Sequence, residues 1–265
     1  MPMPYIDTHC HFNSPIFAQH LARSLSAIRQ AQLQAVVTPA TQADDFTTLL
    51  SLARSTPEIF PALGLHPLWT AHHHDEDLVR LRHLLDNHDD IVAIGEIGVD
   101  FYTAELAALA PRQWEILSVQ LRLAKEYSLP VILHSRKSHD PLSKVLKDAA
   151  LPAAGVIHGF TGSYQQAKRF IDLGYYLGVG GSISYPRANK TREALARVPL
   201  EQLVLETDAP DMPLNGYQGE VNRPERVVTV CQILAELRGE SVEKIRDCAW
   251  QNSLRLFPKL SAVLS

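Results

Sequence analysis

The chain has 265 residues, 46% of them hydrophobic, and a formal charge of -4. That length and apolar content suffice for one large core, and the acidic balance excludes the basic surplus needed to wrap long nucleic acid. Three cysteines, Cys10, Cys231 and Cys248, form an odd set at no metal-like spacing, and no signal-type leader or membrane-length apolar run is present, so the expectation is a cytoplasmic protein with reduced thiols.

The first stretch, Tyr5-Ile6-Asp7-Thr8-His9-Cys10-His11-Phe12, begins as a short apolar strand and ends in two imidazoles one residue apart. Alternate side chains of an extended chain share a face, so His9 and His11 point one way and Cys10 the other. Two neutral nitrogen donors on a rigid element make a metal pincer, and a divalent ion needs at least two further donors from elsewhere. Apolar spacing then predicts a helix over 20–34, a strand over 35–39, a helix over 43–54 and a strand over 60–65 that runs into His66. A helix over 75–85 and a strand over 91–96 follow. Next come a helix over 112–127 and a strand over 131–134, then a helix over 141–149 and a strand over 155–158. The series ends with a helix over 165–173, a strand over 175–179, a shorter helix over 192–198, a strand over 203–208 and two closing helices within 224–256.

Near-continuous apolar strands alternating with helices indicate a parallel sheet covered on both faces. Eight such units in a chain of this length predict an α/β fold, a TIM (β/α)8 barrel in a single domain over 1–265 with extra C-terminal helices. His9, His11, His66, Glu96, His134, His158 and Asp208 all fall at the C-terminal ends of the predicted strands, which converge on the face where such barrels build active sites. Packing alone does not account for them, because buried polar groups without partners are costly. Six of the seven form a plausible metal-ligand set.

The runs DTHCHF, GLHP, GEIGVD, HSR, HGFTG and LETDAP, in that order, resemble the motifs of the TatD-type metal-dependent deoxyribonucleases within the amidohydrolase-like barrels, and are most similar to the bacterial YjjV subgroup. The resemblance spans Ile6 to Leu256. It implies two divalent cations per subunit, with His9, His11 and Asp208 holding the first, Glu96 bridging, and His134 and His158 holding the second. It further implies a hydrolase in which Glu96 and Asp208 are catalytic, Asp208 orienting a water and taking its proton. The mixed donors suit zinc, magnesium or manganese alike. Asn222-Arg223-Pro224-Glu225 matches the family's asparagine-glutamate-proline stretch only loosely.

The expected substrate is a DNA end or another small phosphodiester, met by a monomer with no protein partner. The same chemistry would also serve an amide, lactone or other carboxylic ester, and a metal-binding barrel without turnover is a third reading. His66 and Arg136 are the expected substrate contacts, Arg136 through the fork geometry that suits phosphate. The consecutive His72, His73 and His74 read as solvated imidazoles and Cys10 as core. Gly178, Gly180 and Gly181 read as close packing, and Trp69, Tyr102 and Tyr185 as aromatic loop packing or base platforms.

Overall fold

The computed structural model describes residues 3–264. Eight parallel strands, β1 (Tyr5–Asp7), β2 (Leu33–Pro39), β3 (Ile59–Leu63), β4 (Ala93–Asp100), β5 (Val131–Arg136), β6 (Gly155–Ile157), β7 (Tyr176–Val179) and β8 (Leu203–Leu205), are hydrogen-bonded in sequence order. The two ends of this sheet meet beyond the ladders. Thr8 N donates to Leu205 O, Asp208 N to His9 O at 2.9 Å and His11 N to Ala209 O at 2.7 Å, and Cys10 makes a parallel bridge to Ala209. Asp7 staples the same seam: its buried carboxylate accepts from Thr207 N at 3.0 Å, from Thr207 Oγ1 at 2.6 Å and from His9 N at 3.2 Å. The structure is therefore a TIM barrel, as the strand count predicts.

Alternate strand residues divide between two apolar clusters, which is the period of two that a pleated strand imposes. Val36, Leu133, Ile157 and Leu205 pack outward with the helices, whereas Ile6, Val37, Ile132, Val156 and Val204 share the smaller cluster with Trp250, Phe257 and Leu260. The latter set is the barrel interior, closed by the last two of the three C-terminal helices Val227–Arg238, Val242–Leu256 and Pro258–Leu264, the first of which packs in the outer cluster. The third of these lies beyond the two closing helices expected. Because the apolar interior positions precede the polar residues on each strand, the C-terminal rim is left for the site. Among the described residues, no helix is long and apolar enough to cross a membrane.

Strand limits differ from expectation in an instructive way. The β1 ladder stops at Asp7 and the β8 ladder at Leu205, so His9, His11 and Asp208 sit on the segments that close the seam, not within paired strands. In contrast, β4 continues past Glu96 to Asp100 after a register shift between Ile94 and Ile97. Gly98 permits this continuation: its φ is 144°, and a Cβ there would overlap the carbonyl of His134 on β5. Gly98→Ala should therefore cost about 3 kcal/mol or more of stability in denaturant unfolding. A change below about 1 kcal/mol would mean that β4 and β5 can separate locally without loss.

Candidate metal centre

Seven polar side chains meet at the C-terminal rim. Glu96, carried by β4, lies in the middle with its side chain 1% exposed. Its Oε2 stands 3.3 Å from His9 Nε2 and 3.4 Å from His11 Nε2, while Asp208 Oδ1 is 3.4 Å and 3.6 Å from the same two nitrogens. His9 Nε2 and His11 Nε2 are 3.3 Å apart. Donors placed tetrahedrally at about 2.1 Å from one cation stand about 3.4 Å from each other. Charge-assisted hydrogen bonds would be nearer about 2.8 Å. The separations thus fit four donors surrounding a common point better than four groups bonded to one another, and the donor chemistry suits a divalent ion.

The other carboxylate oxygen gathers a second group more tightly. Glu96 Oε1 is 2.7 Å from His158 Nε2, 2.8 Å from His66 Nε2 and 3.0 Å from His134 Nδ1, with 3.4 Å between His158 Nε2 and His134 Nδ1. These are hydrogen-bond lengths. The structure therefore brings together all six residues expected as ligands, and three triads within the cluster have the spacing to hold a cation: His9, His11 and Glu96; His9, His158 and Asp208; and His66, Glu96 and His134, which puts His66 beside His134 where His158 was expected.

Second partners fix the rings. His134 Nε2 lies 2.9 Å from Asp100 Oδ2, so this ring can give its Nε2 proton to Asp100 and turn Nδ1, now beside Glu96, to a cation. His11 Nδ1 lies 3.2 Å from Pro39 O, giving the same division in reverse. His66 Nδ1 accepts from Leu68 N at 3.0 Å, so its proton sits on Nε2 and is donated to Glu96. His158 stacks on His9 with ring centroids 3.9 Å apart.

Burial and charge pull these groups in opposite directions. Burial raises the Glu96 carboxyl, but the charges of His158, His66 and His9 outweigh it and hold the group well below the usual carboxylate range. Burial lowers His66 to about 4, so that ring stays neutral despite its acidic partner. For Asp100, burial again works upward and is overcome by the hydrogen bond from His134. Asp208 adopts φ 58°, a left-handed backbone that turns its carboxylate back over the rim.

Arg136, at the exposed end of β5, lies outside this cluster and stacks on Tyr102 with its guanidinium carbon 3.5 Å from the ring centre. His73 corrects the reading of three solvated imidazoles. It is buried, and its Nε2 lies 2.9 Å from His66 O because the 3-10 turn Pro67–His72 folds it back beneath that loop. His72 and His74 are exposed, and Cys10 is buried in the core as expected. Asn222, in the loosely matching stretch, is buried and holds the loop after β8 by donating to Thr207 O and Met212 O.

Two acids of the site escaped sequence reading. Asp100 closes the GEIGVD run and Glu206 is the second residue of LETDAP, so both stood inside recognised motifs without an assigned role. Glu206 lies under Gly178, where a Cβ would collide with its carboxylate, and accepts a hydrogen bond from Gly159 N. Burial pushes its carboxyl up to about 8. The close packing expected of Gly178 is thus packing against an acid.

A parallel eight-stranded barrel with histidines and carboxylates clustered on its C-terminal rim defines a metal-dependent hydrolase. The family model for TatD related DNase matches residues 6–258, and the chain belongs to that family. It is 48% identical over 254 residues to the uncharacterized metal-dependent hydrolase YjjV of Escherichia coli (strain K12), covering 96% of this chain and 97% of that protein. It is 30% identical to the deoxyribonuclease TATDN3 of Homo sapiens, covering 98% of this chain and 96% of that protein. The crystal structure of YjjV, the TatD homolog from Escherichia coli, superimposes with a TM-score of 0.94 at 47% identity, covering 97% of this chain and 99% of that one.

Replacing Asp100 by asparagine removes the acceptor that orients His134. Competition with a chromogenic chelator should then show divalent-cation affinity weakened roughly 10- to 100-fold. The melting temperature of the chelated protein should stay close to that of the wild type. Unaltered affinity would show that His134 needs no such partner.

Proposed function

We propose that this single-domain protein is a phosphodiesterase of the deoxyribonuclease type, acting as a cytoplasmic monomer on DNA ends or short nucleotides with two divalent cations, zinc, magnesium or manganese. In this reading His9, His11 and Asp208 hold one cation, His134 and His158 the other, and Glu96 bridges them. The observation that carries it is the division of Glu96 between two donor groups, one on each carboxylate oxygen. Cations held there would supply a water that ionises near neutral pH and positive charge beside the developing oxyanion.

The chain's own residues divide the remaining work. The Asp208 side chain is 18% exposed against 1% for Glu96, so Asp208 is the acid that can face both solvent and substrate. It orients the attacking water and accepts its proton. His66 would turn its one Nε2 proton from Glu96 to a phosphate oxygen once cations occupy that carboxylate. Arg136, two residues beyond His134 on the same strand face, contacts the substrate on the outer side, away from the bond that is cut.

Nucleotide release from single-stranded DNA should require added divalent ion and vanish in Glu96→Ala. Asp208→Asn should lower kcat by about 100-fold or more, as expected for loss of a general base, with a much smaller change in KM. Turnover of carbonyl esters alone, with none of phosphodiesters, would replace this reading.

The cluster also sets a pH dependence. In the chelated protein burial lowers His11 and His158, but Glu96 and Asp208 outweigh it and lift them to about 9 and about 10. Both rings then hold protons at neutral pH that a cation must displace, so affinity rises with pH and binding releases protons. Titration calorimetry in buffers of different ionisation enthalpy should detect that release, and an affinity that is flat with pH would contradict it.

A further inference from the structure

Beside the metal-ligand cluster, a groove of about 480 Å³ runs along the outer end of β5 and is lined by Tyr102, Ser135, Arg136, Lys137, Ser138 and Thr161, among others. Three independent features make it attractive to an anion. First, the chain is acidic overall, yet Arg136 and Lys137 lie side by side here, and among the described residues neither makes an ion pair. Arg136 stacks on the Tyr102 ring, and Lys137 Nζ lies 4.7 Å from the centre of that ring and donates to Tyr102 O at 3.2 Å. The stacking fixes the guanidinium plane and leaves its edge donors free.

Second, the groove is bounded by the start of the helix His139–Ala149. Ser138 stands at the cap position but makes no side-chain cap; its hydroxyl donates to Val99 O instead. Pro141 has no N–H and Leu142 N donates to Ser138 O, so the amides of His139 and Asp140 are the two that this helix start leaves uncapped, and His139 and Asp140 both line the groove. Asp140, the acid in that first turn, is matched by Arg169 at 2.5 Å. Third, Arg136 and His134 are two residues apart on one strand, so they share a face and their Cα atoms are about 6.6 Å apart. That separation is close to one backbone repeat of an extended nucleic-acid strand.

We infer that this groove is a second phosphate subsite, which holds the phosphodiester one nucleotide away from the scissile bond by means of Arg136, Lys137 and the uncapped helix start. The inference rests on the phosphodiesterase reading above and adds to it a minimum substrate: a single strand with at least two phosphodiesters. The connection to the centre is direct, since Tyr102 N donates to Asp100 Oδ1 at 2.7 Å while the other oxygen of Asp100 holds His134.

The test compares a trinucleotide, with two phosphodiesters, against a dinucleotide with one, in the metal-loaded protein. Bis(p-nitrophenyl) phosphate serves as a probe of the centre alone. The wild type should favour the trinucleotide at least tenfold in kcat/KM, and the double variant Arg136→Gln, Lys137→Gln should bring that ratio near one. Equilibrium binding of a labelled trinucleotide should weaken at least tenfold in the same variant. A wild-type ratio near one, or a ratio that survives the double substitution, overturns the subsite while hydrolysis of the small ester upholds the centre. If no phosphodiester is cleaved, the functional reading fails, and trinucleotide binding that is unaltered in the variant rejects the groove as well.

Discussion

One buried carboxylate governs the arrangement of the rim. Glu96 is almost completely removed from solvent, and an isolated ionised acid in that position would be strongly disfavoured. It remains ionised because imidazoles from β1, β3, β5 and β6, or from the segments just beyond them, converge on its two oxygens. The constraint runs both ways. Burial keeps His9 and His66 neutral, whereas His11, His134 and His158 are raised by their acidic neighbours, so protons on those three rings depend on the strand ends closing to within reach of one another. Barrel closure and the chemistry of the rim are consequently a single condition. The oxygens that satisfy the rings are also the ones best placed to bind cations.

Much of this could be read from the sequence because the signal is local. Each strand is a short apolar run ending in a histidine or an acid, and both halves of that pattern lie within a few residues. His9, His11, Glu96, His134, His158 and Asp208 were all visible as strand-end polar groups, and the structure gathers all six. What stayed hidden depends on partners distant in the chain. Asp100 matters because of His134, and Glu206 because of Gly159 and His158; neither contact leaves a periodic trace. His73 is a sharper case. Consecutive histidines in a polar loop look solvated, and only the 3-10 turn before them brings one ring under the His66 carbonyl.

Strand limits were the least legible feature, for a related reason. A hydrophobic run marks where side chains are buried, whereas a ladder marks where backbone groups pair, and at the rim these diverge. Residues just after Asp7 and Leu205 are mostly buried but lie outside the ladders, their amides bonded across the seam to each other's segments. Beyond Glu96 the opposite holds: β4 keeps pairing with β5 as far as Asp100 and Arg136, carrying two residues of the outer groove's surroundings into register with the centre.

The Asp7 staple has a consequence for how the barrel is held shut. The hydrogen bonds that fasten the first strand to the last run from Thr207 and the His9 amide to a carboxylate that none of the proposed ion-binding groups uses. This fastening is made by hydrogen bonds alone, unlike the closure of small domains that fold only around their ion. No side chain expected to hold an ion takes part in fastening the barrel's two ends at this point; only the backbone of His9 does.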